Sequence, residues 1–229
     1  DVYKRQVYKY IGLENGLSNQ KIYYIQKDRR GYMWFLTQEG VDRYDGKYIK
    51  HYNFSDDSIK LDSRIALNWL YMDSGNILWV IGQKGRIFRY DSQHDKFKLA
   101  YIHPELIRNK PQAFLNYGYL DKNDRIWLCY KDSITWYDIR TGTTLHMPTP
   151  VNGEITAIEQ TDSNHFFIGT GNGLFHAGIE KGKLNIMPDK MVEGIGTSVH
   201  ELYYHAVSKQ LFVGNYKEGI LIYDMGGTG

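Results

Sequence analysis

Three patterns in this 229-residue sequence carry residue types that could do chemistry. In HELYYH, His200, Glu201 and His205 approach the zinc signature H-E-x-x-H, where two histidines one helical turn apart share a metal. His205 falls one residue too late for that spacing. On a strand, positions five apart point to opposite faces, so no metal is expected here. The other histidines, His51, His94, His103, His146, His165 and His176, stand singly without ligand spacing and read as surface or turn residues. GTGNG, Gly169 to Gly173, has the glycines of a phosphate loop but lacks the following Lys and Ser or Thr and a helix to supply a dipole, so it reads as a turn. Asp73, Gly75 and Trp79 form a D-x-G-x-x-x-W pattern like the Asp box of sialidases. The bland alternative is a hairpin brace, with the carboxylate accepting backbone N–H bonds. Glycoside hydrolysis needs two carboxylates on one sugar, or a Tyr nucleophile beside an arginine cluster, and the spacing reveals neither.

Composition narrows the class. Lys and Arg total 28 against 26 acidic residues, a formal charge of +2 that removes the electrostatic footprint expected of a nucleic-acid binder. The single cysteine, Cys129, excludes an intrachain disulfide and reads as a small buried hydrophobe. The longest run without Asp, Glu, Lys or Arg, Ser163 to Ile179, is broken by glycines and is no membrane span. Aromatics at 15% with 23 glycines favour strands joined by tight turns. No cofactor is implied. Residues 1–6 (DVYKRQ) match nothing downstream and read as an extension or assembly scar. Asn53, Phe54 and Ser55 form a glycosylation sequon.

One phrase recurs five times: an apolar strand, an Asp-led turn, an aromatic strand, a Gly turn and, in most copies, a closing Tyr-Asp. Its residues are Asp28, Gly31, Trp34, Gly40, Tyr44 and Asp45 in the first copy and Asp73, Gly75, Trp79, Gly85, Tyr90 and Asp91 in the second. Asp121, Trp127, Tyr137 and Asp138 mark the third, and Asp162, Phe167 and Gly173 the fourth; Phe212, Gly219, Tyr223 and Asp224 mark the fifth. The aromatics Trp34, Trp79, Trp127, Phe167 and Phe212 step by 45, 48, 40 and 45 residues. In the first copy, strands are expected near 21–27, 32–37, 41–44 and 47–52. Both faces of the first strand are largely apolar, which predicts burial on both sides. Four short antiparallel strands per repeat make a β-propeller blade. The expected fold is therefore all-β, a propeller fragment of about five four-stranded blades near 12–52, 60–101, 108–147, 151–188 and 195–229, in one domain from residue 7. The last blade lacks its fourth strand. Pro104, Pro111, Pro148, Pro150 and Pro188 fall between blade cores, and helix is limited to a turn near His103 to Arg108.

The first repeat, with Tyr8, Tyr10 and GLENGLSNQKIYYIQKDRRGYMWFLTQEGVDRYDGKYIKHY, resembles the opening blade of the two component regulator propeller family. The GLS-N turn, the D-x-x-G-x-M-W hairpin and the G-V-x-R-Y-D-G exit carry the likeness. The third copy departs with Asp132 and Ser133 in place of Gly, and the fourth lacks the exit Tyr-Asp. The resemblance implies a seven-bladed propeller in the periplasmic sensor of hybrid two-component systems of gut Bacteroidetes. A second propeller, an immunoglobulin-like domain, a membrane helix, a histidine kinase and a response regulator with a DNA-binding region would follow in the parent. It further implies glycan sensing without catalysis in this region, with an oligosaccharide ligand, the remaining blades and following domains as partners, and dimerisation through the parent. A propeller glycosidase or polysaccharide lyase and a non-catalytic protein-interaction platform are the rival readings. Tyr52, Phe54, Trp69 and Tyr101, near connectors, are the first aromatics to consider for stacking on a sugar or partner. An open set of blades leaves strand edges unpaired, so the chain is expected to associate.

Overall fold

The computed structural model describes residues 8–54, 66–104, 114–187 and 198–226. Every described repeat forms its own antiparallel sheet. The first contains β1 (Ile22–Lys27), β2 (Met33–Thr37), β3 (Val41–Tyr44) and β4 (Ile49–Tyr52). The second contains β5 (Leu67–Met72), β6 (Leu78–Gly82), β7 (Arg86–Asp91) and β8 (Lys96–Tyr101). The third runs β9 (Tyr117–Leu120), β10 (Arg125–Cys129), β11 (Ser133–Asp138) and β12 (Thr144–Pro148), and the fourth β13 (Ile155–Gln160), β14 (His165–Thr170), β15 (Gly173–Glu180) and β16 (Lys183–Ile186). The fifth has three strands, β17 (Val199–His205), β18 (Gln210–Asn215) and β19 (Gly219–Asp224). Strands pair in chain order throughout, the meander of a propeller blade.

The chain groups into two compact units, Asp1–His103 with two sheets and Pro104–Gly229 with three. In the first unit, Trp34, Leu36 and Val41 of one sheet pack on Leu67, Leu70, Leu78, Val80 and Phe88 of the next. In the second unit, Trp127, Cys129, Ile134 and Trp136 pack on Ile155, Ile158, Phe166 and Ile168. Phe167 and Leu174 pack on Val199, Leu202, Leu211 and Val213. Phe166 and Phe167 are adjacent, so strand alternation sends them to opposite faces and both are buried. Each such side chain contributes about 1.5–3 kcal/mol by leaving water.

Several expectations need correction. β1 is not buried on both faces: Tyr24 and Gln26 lie half-buried, but Ile25 alternates away and is 60% exposed. Tyr24 meets Tyr71 of β5 at 6.2 Å between ring centres, while on the opposite side Tyr23 and Ile25 are exposed. Pro148 does not lie outside the sheets but ends β12, an edge strand, where the missing N–H costs least. A bulge between Val199 and Glu201 interrupts strict alternation in β17. The expected helical turn beyond Pro104, Pro111, Pro188, Ser55 of the sequon and residues 1–6 lie outside the described residues. Among the described residues no helix is long and apolar enough to cross a membrane.

Candidate functional site

The recurring aspartates serve the turns. Asp28 Oδ1 accepts the N–H groups of Arg30 (2.9 Å) and Tyr32 (3.0 Å), and Oδ2 accepts the indole N–H of Trp34 at 3.0 Å. Asp73 accepts the N–H of Ile77 and the Trp79 indole (2.7 and 2.8 Å). Asp121 accepts the N–H groups of Asn123 and Arg125 (both 2.9 Å), the Trp127 indole (2.8 Å) and Arg125 Nε (2.7 Å). A carboxylate six residues before a tryptophan thus satisfies both the turn and the buried indole, which explains the spacing. The left-handed turn residue is Gly31 (φ 90°), Asn76 (φ 62°) and Asp124 (φ 61°) in the three copies, so Gly75 sits one residue before it. In the fourth copy Thr161 takes the aspartate's place, bonding His165 O, and Asp162 caps the turn through Asn164 and His165.

The closing Asp of Tyr-Asp makes a second turn brace. Asp45 accepts from Lys47 and Tyr48, Asp91 from Gln93, Asp138 from Arg140 and Thr141, and Asp224 from Gly226. Tyr137 is buried, and Tyr44 and Tyr223 are half-buried. The GTGNG segment is a turn: Thr170 Oγ1 bonds Gly173 O and the Asn172 N–H, as Thr37 does with Gly40 and Glu39. Gly85 and Gly219 (both φ 80°) hold corresponding turns in the second and fifth sheets. Phe212 is half-buried on β18.

The histidines are less uniform than single surface residues. His200 pairs with Ser198 and lies against Tyr216, while His205 bonds Ser208, so HELYYH does not converge. Among the described residues no three metal-ligating side chains cluster. His51 departs from the surface reading: its Nδ1 lies 2.6 Å from the fully buried Asp42, whose other oxygen accepts the N–H and hydroxyl of Ser18 at 2.7 and 2.8 Å. These are the residue types of a hydrolase triad in the wrong order. The serine contacts the carboxylate, so no imidazole can take its proton. The arrangement instead ties the GLS turn, with buried Leu17, onto β3. Cys129 is fully buried, and burial pushes its thiol far up, leaving no thiolate for reaction.

The aromatics expected near connectors are packed. Tyr52 and Trp69 are buried, and Phe54 meets Phe88 and Phe97 at 5.0 and 4.7 Å. Tyr52 belongs to a polar node joining the first two sheets. Asp95, in the β7–β8 turn, accepts from Arg43 (2.8 Å), Lys50 (2.6 Å), Tyr52 (2.6 Å) and Tyr90 (2.5 Å), and Arg43 also donates to Tyr90 at 2.7 Å. Burial opposes the charge on Asp95, but these four donors outweigh it and hold the carboxyl well below its usual range. The Arg43 guanidinium also lies over Tyr32, Trp34 and Tyr52 at 4.8–5.6 Å.

Beside this node is a cleft of about 210 Å³ between the first and second sheets. Asp28, Arg30, Tyr32 and Trp34 form one wall; Met72, Asn76, Ile77 and Leu78 face them, with Tyr90 and Ser92 adjoining. Arg29 closes the approach of the two turns, its N–H on the Asn76 carboxamide oxygen and its guanidinium on Ser74 O, both at 3.0 Å. The lining holds one carboxylate, Asp28, and both its oxygens are engaged. The cleft can bind but lacks the paired carboxylates of glycoside hydrolysis. Sequence reading missed it because Arg30 and Ser92 occupy ordinary turn positions 62 residues apart.

The sequence of the first hairpin matches a known repeat. Residues 16–39 match the model of the two component regulator propeller family. A search of curated proteins finds no match. Among solved structures, the extracellular domain of the putative hybrid two component system BT3049 from B. thetaiotaomicron superposes with a TM-score of 0.64 at 19% identity, over 95% of this chain and 35% of that one. The corresponding domain of BT4673 gives 0.57 at 14% identity, over 90% of this chain and 34% of that one. Virginiamycin B lyase from Staphylococcus aureus gives 0.62 at 14% identity, over 93% of this chain and 73% of that one. The chain thus spans about a third of the two extracellular domains it resembles. At these identities the likeness establishes the fold, an all-β assembly of propeller blades, and the lyase illustrates that the same fold also supports catalysis.

Proposed function

We propose that this chain is a non-catalytic, ligand-recognising part of the exported sensor of a hybrid two-component protein, responding to glycans and regulating polysaccharide use. The observation that carries this reading is the two component regulator propeller repeat, which contains the Asp28–Trp34 brace lining the inter-sheet cleft. In this reading the parent is a histidine kinase anchored in the inner membrane, and the chain lies in the periplasm beside further blades and domains. Signalling follows from a ligand that favours one of two domain arrangements.

The test is to express the whole reading frame that contains this sequence and follow autophosphorylation in membranes while a panel of oligosaccharides is added. An apolar segment of about 20 residues, a kinase and a sugar-dependent change in phosphorylation are expected. Turnover of a polysaccharide by the exported region would instead establish the lyase or glycosidase reading. Capture of a defined protein with no response to any sugar would establish an interaction platform.

A further inference from the structure

We propose that the cleft between the first two sheets holds one anionic sugar residue, a uronate or a sulfated hexose, with its charge on Arg30. This rests on the glycan-sensing reading and names its ligand class. The cleft, at about 210 Å³, is smaller than the ~300–1,000 Å³ of sites for drug-sized ligands, which suits one ring rather than an oligosaccharide. The lining itself holds one cation, Arg30, and one carboxylate, Asp28, whose oxygens are both engaged. Arg29, Arg43 and Lys50 stand beside it with Asp95 and with Asp73, which accepts the Ile77 N–H and the Trp79 indole.

Most of these cations are already used: Arg43 and Lys50 by Asp95, and Arg29 by Ser74. Arg30 is exposed and, among the described residues, makes no ion pair or side-chain hydrogen bond, although its backbone N–H is fixed on Asp28. The backbone therefore fixes the root of the Arg30 side chain at the cleft, and the planar fork of its guanidinium suits a carboxylate or sulfate. The neighbouring groups suit a sugar ring. The Asn76 carboxamide is oriented by the Arg29 N–H on its oxygen, leaving its NH2 to donate, and the Ser92 hydroxyl is exposed; both can meet ring hydroxyls. Tyr32 and Met72, half-buried, give the apolar wall against which a pyranose C–H face can pack.

The experiment is an NMR titration of the 229-residue chain with glucuronate, glucose 6-sulfate, glucose, acetate and sulfate as separate probes, repeated on Arg30→Gln. Arg30 lies on the surface of a turn, so this change leaves the fold intact. Expected are saturable shifts at the Arg30, Asn76 and Ser92 amides with glucuronate or the sulfated sugar. Glucose should bind at least about tenfold more weakly, and Arg30→Gln should lose about tenfold in affinity for the charged sugars alone. The stronger of the two charged sugars identifies the anion.

Equal binding of charged sugars by Arg30→Gln would overturn the proposal. So would acetate or sulfate shifting the same amides as strongly, since that marks a plain anion site. Glucose binding as tightly as glucuronate would overturn the anionic class while leaving glycan sensing intact. Silence of all three sugars would overturn the site itself, and the oligosaccharide panel on the intact sensor then decides separately whether glycan sensing stands.

Discussion

At the level of single residues, the same chemical type does different work according to what surrounds it. Asp121 is fully buried as a side chain and accepts four donors, among them the indole of a buried tryptophan. Asp121→Ala leaves those donors without an acceptor and is expected to cost about 2–4 kcal/mol in urea denaturation. Asp224→Ala, which loses one exposed turn bond, should stay within about 0.5 kcal/mol. Asp95 gives a pH dependence of definite sign. Its folded-state carboxyl lies below the unfolded value, so its contribution is complete above the ordinary carboxylate range and disappears as pH falls through the lowered folded value. Its side chain is 38% exposed, so solvent screens much of this. Thermal melts from neutral pH into strong acid should show a shallower acid decline in Asp95→Asn than in the parent; an unchanged slope would refute the assignment.

At the level of the element, turn geometry rather than strand propensity sets each repeat. Gly31 and Gly40 both lie in the left-handed region, at φ 90° and 150°, yet they differ in surroundings. A Cβ on Gly31 meets nothing within 4 Å, whereas one on Gly40 lands 2.6 Å from the Tyr52 carbonyl oxygen on the paired strand. Gly31→Ala should therefore cost about 1 kcal/mol from backbone strain alone. Gly40→Ala should cost clearly more, about 2–3 kcal/mol, because β3 and β4 must also part. Chemical denaturation of the two variants side by side checks the order, and equal losses would mean that the contact relaxes freely. The anchor aromatics follow a similar local logic across strands. Arg43 in β3 and Arg89 in β7, each paired across the sheet with its anchor, place guanidiniums 5.5 Å from Trp34 and 6.0 Å from Trp79.

For the molecule as a whole, the fifth sheet is the informative one. Leu211 and Val213 are buried against the fourth sheet, but on its other face Tyr203, Ile220 and Ile222 are 57%, 70% and 58% exposed, with Phe212 between them. A contiguous apolar sheet face of this kind is a surface for association. We expect the 229-residue chain to self-associate as concentration rises, and Ile220→Lys with Ile222→Lys to shift it toward monomer in analytical ultracentrifugation. The parent remaining monomeric at all concentrations would count against this.

The repeat, its period and the hairpin chemistry were legible in the sequence, because an Asp six residues before a Trp and a Gly or Asn in a left-handed turn are local requirements. Each is met within about ten residues of chain, so the phrase Asp28–Trp34 reads the same alone as in the fold. The departures arose where distant segments decide. Ile25 looks as buried as Tyr24 until only one of its faces finds a neighbouring sheet. His51 looks like a surface histidine until the chain brings it to Asp42. Thr161 stands in for an aspartate because the fourth anchor is Phe167, which has no indole N–H to satisfy. The cleft, too, is a product of tertiary structure. Arg30, Asn76 and Ser92 are ordinary turn residues, and packing one sheet on the next turns them toward a common space beside a guanidinium already held by Asp95.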